Sequence, residues 1–230
     1  MAAGLEIRQQ RNLHLGRWFT LVVLIALLGV VGWFGYRYYS TGEQPPVPIP
    51  AALAAVNPDV DESTIALEDV RKHVVSTEQP RYLSIPSLYI DEARVFSVGT
   101  KANSELDTPR NIHDVGWYEK SATPGSGSSA MLMDGHNGGP TSSGVFERLG
   151  DLKKNDEIIV ERGDGMKFTY LVQEKEIVSL EDLNKGGMNR MSKSASSTAE
   201  GLNIISCTGN WIPAKNTYDQ RVTIRAVAKE

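Results

Sequence analysis

EIIVERGDGMKFTYLVQ, residues 157–173, carries the reading of the fold. Two runs rich in β-branched and aromatic residues flank Gly163-Asp164-Gly165, a strong signal for a tight hairpin. The same texture extends over the chain from Pro80 onward. RYLSIPSLYI (81–90) and ARVFSV (93–98) read as strands, with Pro86 marking an edge or a bend. SSAMLMDGH (128–136), EKEIVSL (174–180), LNIISC (202–207) and RVTIRAVA (221–228) complete the set, and only SGVFERLGDL (143–152) has helical character. Seven or eight short strands over about 150 residues, with few helices, predict an all-β fold closed or nearly closed into a barrel. Two stretches remain as long loops, roughly 180–200 and 208–220. Loops of that length in a compact domain are usually functional or disordered.

The N-terminal part has a different character. WFTLVVLIALLGVVGWFGY, Trp18 to Tyr36, contains no charged residue. At 1.5 Å per residue it spans about 28 Å, close to the thickness of a hydrocarbon core. Trp18, Trp33 and Tyr36 mark its ends as interfacial aromatics do. Arg8, Arg11 and Arg17 precede it and Arg37 alone follows closely, so residues 1–17 are expected in the cytoplasm and everything after 37 outside. A cleaved signal peptide would have a shorter apolar centre and a small-x-small exit, whereas this exit reads WFGYRYYS. Residues 18–36 are therefore expected to be an uncleaved transmembrane signal-anchor helix.

Residues 37–79 read as an extracytoplasmic linker. Within it PPVPIP (45–50) should be extended and polyproline-like, and STIALEDVRKHVVS (63–76) has the spacing of a short helix. Residues 80–230 then form one domain. The net charge of −4 and a pI of about 5.7 leave no basic stripe, which argues against a nucleic-acid partner.

Cys207 is the only cysteine in the 230 residues. An odd thiol outside the membrane is an intermolecular bridge, a passively buried small hydrophobe or a reactive group. Cys207 ends the apolar run LNIIS and precedes TGNW, which lacks strand character, so an extended peptide could reach it at a strand mouth. Thiols attack as thiolates. At an unperturbed pKa near 8.5 only about 3 % is ionised at pH 7, and a nearby cation raises that fraction.

His136 lies at another strand end, in MLMDGHNGG, where Gly135, Gly138 and Gly139 leave room for a substrate backbone. A lone histidine is more often structural than catalytic, but this setting favours acid/base work over the rival His113. Arg221 opens the last strand. If 208–220 joins two antiparallel neighbours, Cys207 and Arg221 face each other. Arg225 shares that face but lies about 13 Å further on. A guanidinium near the thiol could stabilise an oxyanion; its plain alternative is a solvated strand-edge charge.

Together these stretches resemble the sortase family. IISCTG followed by RVTIRAVA is similar to the strand pair that carries the sortase nucleophile, and DGH matches the sortase histidine. The run LDTPRNIHDVGWY, SGSSAMLMDGH and GVFERLGDLKKNDEIIV is especially similar to class E and class F members. The resemblance covers about residues 80–229 and implies a sortase-type barrel. It implies Cys207 as nucleophile, His136 as general acid/base and Arg221 as oxyanion and substrate stabiliser.

The implied reaction is transpeptidation of an LPxTG-like sorting signal through a Cys thioester. The acyl group passes to an amine of the cell envelope or a pilin lysine. Ser206 stands where the family often has threonine, which keeps the hydroxyl and loses a methyl. No acidic cluster supports the calcium site of some members, so no cofactor or metal is expected. Asp134, two residues before His136, is a candidate partner for the imidazole. Two other readings compete: a cysteine hydrolase that uses water as acceptor, and a membrane-tethered, non-catalytic β domain in which Cys207 is merely buried.

Overall fold

The computed structural model describes residues 13–47, 60–102, 104–127 and 129–229. Most of the tail expected in the cytoplasm, and the proline-rich spacer beyond Val47, lie outside the described residues. The described residues hold eight strands: β1 (Pro80–Ile85), β2 (Ile90–Val98), β3 (Val115–Tyr118), β4 (Ala130–Gly135), β5 (Glu157–Arg162), β6 (Lys167–Ser179), β7 (Gly201–Ile212) and β8 (Thr217–Ala228). They close into a barrel in the order β1-β2-β3-β4-β7-β8-β6-β5, with β5 pairing back onto β1. The β2–β3 and β4–β7 pairs are parallel and the others antiparallel.

The Gly-Asp-Gly turn behaves as its sequence predicts. Gly165 adopts φ +85°, and its N–H donates to the Arg162 carbonyl at 2.8 Å. Asp164 accepts from the Met166 N–H at 3.0 Å, so the carboxylate satisfies a turn donor that has no strand partner.

Several expectations need correction. The eight strands are not the eight read from sequence. VGWY forms β3, while MKFTYLVQ and EKEIVSL are one continuous strand, β6, with a register shift between Val172 and Glu174. Nor is 208–220 a loop. β7 runs to Ile212 and β8 starts at Thr217, around a short 3-10 turn at Pro213–Lys215. The strand pattern is masked at Gly209 and Asn210, where a bulge interrupts the pairing and Gly209 takes φ +85°. Beyond the bulge, pairing resumes with Trp211 opposite Tyr218, edge to face at 5.3 Å. The 143–152 run holds only a 3-10 turn, Leu149–Asp151. Pro86 makes a bend, opening the 3-10 turn Pro86–Leu88 between β1 and β2.

Period-two alternation sorts the side chains of the strands that matter here. Met131 and Met133 of β4, Leu202 and Ile204 of β7, and Val222, Ile224 and Ala226 of β8 point into the barrel core. Leu132 and Ile205 point outward and meet Leu183 and Met191 in a second apolar cluster. The short helical turns α3 (Leu180–Asp182) and α4 (Met188–Met191), joined through Leu183–Gly187, thus cover part of the outer face. The stretch 180–191, read as an open loop, is helical for this reason. Asp134, Cys207, Arg221 and Arg225 share the outer face by the same alternation.

The N-terminal helix α1 covers Leu13–Thr41, longer at both ends than the apolar run, and is long and apolar enough to cross a membrane. Its end meets the β7–β8 hairpin: Gly42 is buried at φ +74°, and a Cβ there would come 2.2 Å from the Trp211 carbonyl oxygen. Residues 60–79 run along the barrel and are fastened to it. α2 (Leu67–Lys72) is six residues long; His73 Nε2 bonds the Val95 carbonyl at 2.8 Å, and Tyr82 donates to the Val70 carbonyl.

Candidate active site

Two strand registers bring the predicted residues together. Gly135 of β4 is level with Ser206 of parallel β7, so His136 and Cys207 are the next residues along two neighbouring strands. On the other side Cys207 is the direct antiparallel partner of Arg221 in β8. All three line one cleft of about 880 Å³, walled by residues 104–110 on one side and by Leu183 and Met188 on the other. Ile205, from the outer apolar cluster it shares with Leu132, also lines it. His113 is not among the lining residues; it belongs to the 111–114 turn, where its N–H donates to Asn111 Oδ1.

Arg221 is fixed rather than solvated. Its Nη1 donates to the carbonyls of Tyr218 and Gln220 at 2.9 and 2.8 Å, and Nη2 donates to Thr217 Oγ1 at 2.8 Å. Those acceptors all belong to the start of β8, so the extended hairpin that sequence reading missed is what holds the guanidinium. Arg225 has a different task. It sits opposite Asn203 and donates to Glu174 Oε2 at 2.7 Å and the Ser194 carbonyl at 2.8 Å, tying the end of the helical cover to the barrel.

The imidazole of His136 is held by a group sequence reasoning did not single out. His136 Nε2 lies 2.8 Å from the Pro109 carbonyl oxygen. A carbonyl only accepts, so Nε2 carries the proton and Nδ1 is bare in the neutral ring. The backbone is held too, since the His136 carbonyl accepts from the Phe146 N–H at 2.9 Å. The neighbouring glycines make room for the protein's own chain rather than for a substrate backbone. A Cβ on Gly135 would strike the Phe146 ring at 2.7 Å, and one on Gly139 would meet Glu62 Oε1 at 2.2 Å. Glu62 accepts from the Thr141 N–H and hydroxyl at 2.7 and 2.6 Å, which holds its carboxyl below the usual range.

The electrostatics correct a further expectation. Burial pushes the Cys207 thiol up; Arg221 pulls it down and Asp134 adds to the rise, with burial the largest effect. Burial also lowers the His136 imidazole, against the Pro109 hydrogen bond, which raises it. Both shifts favour the uncharged forms, a protonated thiol and a neutral imidazole, over an ion pair. Asp134 enters the cleft but is not bonded to His136. It accepts from Thr108 Oγ1 at 2.6 Å, and burial raises its carboxyl to about 7.

The barrel of this strand order thus carries a thiol, an imidazole and a guanidinium on the lining of one outer cleft. The Sortase domain model matches residues 83–229, and the chain belongs to the sortase family. It is accordingly an enzyme of the sortase transpeptidase kind. Comparison with curated proteins returns no match.

Among solved structures the chain is similar to sortase A from Corynebacterium diphtheriae, at 18% identity over 77% of this chain and 76% of that one, with a TM-score of 0.49. Sortase C1 from Streptococcus agalactiae is 19% identical over 72% and 78%, with a TM-score of 0.48. Sortase C from Clostridium perfringens SM101 is 18% identical over 68% and 73%, with a TM-score of 0.46.

Proposed function

We propose that the protein is a membrane-anchored sortase, of the class E or F type that its motif run resembles. It would cleave an LPxTG-like sorting signal and pass the acyl group to an amine of the cell envelope or a pilin lysine. The observation that supports this reading is the convergence of Cys207, His136 and Arg221 from three adjacent strands on a single cleft.

Cys207 Sγ attacks the Thr–Gly carbonyl carbon as its proton passes to the bare Nδ1 of His136. The oxyanion that forms is met by the Arg221 guanidinium, already oriented by Thr217, Tyr218 and Gln220. The C–N bond then breaks, His136 delivers the proton to the leaving glycine amine, and a thioester remains on Cys207. An incoming amine attacks that carbonyl, forming a new C–N bond and breaking C–S, and its proton returns to sulfur through His136. A resting neutral pair suits this sequence, because the thiol proton passes to His136 as sulfur attacks, and the negative charge that develops on the oxyanion is met by the Arg221 guanidinium.

Residues 18–36 would span the membrane, with 1–17 in the cytoplasm, 37–79 as the connecting segment and 80–230 as the catalytic domain outside. The Arg8, Arg11 and Arg17 bias supports that orientation.

The test is incubation of the full chain in detergent with a labelled LPxTG-type peptide and a panel of amines. A peptide–amine conjugate is expected, dependent on Cys207. Formation of the free acid alone with every amine would make the protein a hydrolase instead.

A further inference from the structure

Two consecutive residues of the cleft wall each grip a residue of the β4 exit. Thr108 donates to Asp134 Oδ2 at 2.6 Å, and the carbonyl of Pro109 accepts from His136 Nε2 at 2.8 Å. Asp134 and His136 are themselves two residues apart and share the outer face. The four groups therefore form a closed clamp: β4 backbone, Asp134 carboxyl, the Thr108-Pro109 peptide, and the imidazole.

The clamp has a prepared seat. Asp134 is opposite Gly116 in β3. A Cβ on Gly116 would stand 2.2 Å from Asp134 Oδ1 and 3.0 Å from Pro109 Cδ, so only glycine lets the carboxyl and the proline lie flat there. Asp134 is 7% exposed, and its Oδ1 is buried with no hydrogen-bond partner among the described residues. Burial of a carboxyl with one oxygen unpartnered costs free energy, so its retention here points to what the other oxygen holds. The bonded oxygen holds Thr108.

We propose that Asp134 and Thr108 are positioning residues for the acyl transfer, acting through the Pro109 carbonyl to keep His136 as the Nε2–H tautomer with Nδ1 toward the cleft. This rests on the reading of His136 as the acid/base. Neither residue touches the reacting atoms. Asp134 fixes the Thr108 hydroxyl, Thr108 fixes the next carbonyl, and that carbonyl dictates which ring nitrogen carries the proton. The logic is that of a base oriented by a third group, with a backbone carbonyl as the intermediary.

The experiment uses the full chain in detergent, labelled with 15N-histidine, with the His136 signals identified through His136→Gln. The unmodified protein should show His136 as a single Nε2–H tautomer. Thr108→Val should give a mixture of tautomers and lower kcat by about tenfold or more, with KM within about twofold. Thr108→Ser, which keeps the hydroxyl, should restore both readouts. Gly116→Ala should act in the same direction as Thr108→Val by pushing the carboxyl out of its seat.

A Thr108→Val protein that keeps the single tautomer overturns the proposal, whatever its stability or turnover. So does one whose loss is shared by Thr108→Ser. The tautomer readout does not depend on turnover, so it stays informative if His136→Gln proves active and the acid/base role is what fails.

Discussion

Cys207 and Arg221 are direct cross-strand partners on β7 and β8, and this one pairing separates Arg221 from its neighbour Arg225. Arg225, four residues on, is opposite Asn203 and is consumed by Glu174, Lys193 and Ser194. The two guanidiniums share a face and a strand but differ in what holds them.

Replacing the two should give opposite phenotypes. Arg221→Lys keeps the charge and loses the planar fork held by Thr217, Tyr218 and Gln220, so kcat should fall on the order of 100-fold with KM little changed. Arg225→Ala should leave kcat within a few-fold and lower unfolding stability by about 2 kcal/mol, because it leaves the Ser194 carbonyl without its donor and Glu174 without one of its two arginines. Steady-state kinetics and thermal melts of the two variants decide. A larger kcat loss in Arg225→Ala contradicts the assignment.

The pH dependence of kcat/KM follows from burial of the two groups. Protonating His136 removes the base, and since its pKa is depressed, the acid limb should lie below the imidazole reference of 6.5. Cys207 is shifted the other way, so the alkaline limb should lie above the ordinary thiol range. The profile should be a broad plateau. Iodoacetamide alkylation of Cys207 in the native protein should follow the same alkaline limb.

Asp134 should leave a signature in stability. Its folded value is raised to about 7 from 3.8 unfolded. Between these values the folded state keeps a proton that the unfolded state has released, so this group's contribution falls as pH rises from about 4 to 7 and stays lost above. Asp134→Asn removes that slope. The stability difference between variant and parent should grow in the variant's favour across this window, by roughly 2–4 kcal/mol. A stability difference between variant and parent that is the same at pH 4 and pH 8 in urea titrations would contradict the raised value.

Gly42→Ala tests the seat of α1 on the hairpin. The added methyl meets the Trp211 carbonyl in a backbone conformation that disfavours a side chain. Amide exchange in residues 209–217 should speed up, and because Thr217 and Tyr218 hold Arg221, kcat should drop several-fold. Unchanged exchange would mean that the hairpin stands without the helix.

Much of this was legible in the sequence because its signals are local. Gly163-Asp164-Gly165 declared a hairpin, the uncharged run 18–36 declared a long apolar helix, and Cys207 was unique. The opposition of Cys207 and Arg221 followed from antiparallel pairing across whatever joined the two strands. What joined them was misread, since Gly209 and Asn210 break the alternation with a bulge, and the five residues of β7 after Cys207, Thr208 to Ile212, read as loop. The helical cover at 180–191 was unreadable because its apolar residues, Leu183 and Met191, face a sheet surface that exists only after the barrel closes. Pro109 was overlooked for a different reason. It acts through a backbone carbonyl, and a carbonyl leaves no mark in residue type. The neutral state of the dyad likewise depends on burial, which three-dimensional packing decides.

The most direct test of Cys207 as nucleophile is intact-protein mass spectrometry after rapid acid quench of the full chain with an LPxTG-type peptide. The expected result is a mass gain equal to the peptide up to its threonine, mapped to Cys207, discharged by added amine and missing from Cys207→Ala. Peptide cleavage that continues in Cys207→Ala, or turnover with no adduct on that sulfur at any quench time, would contradict it.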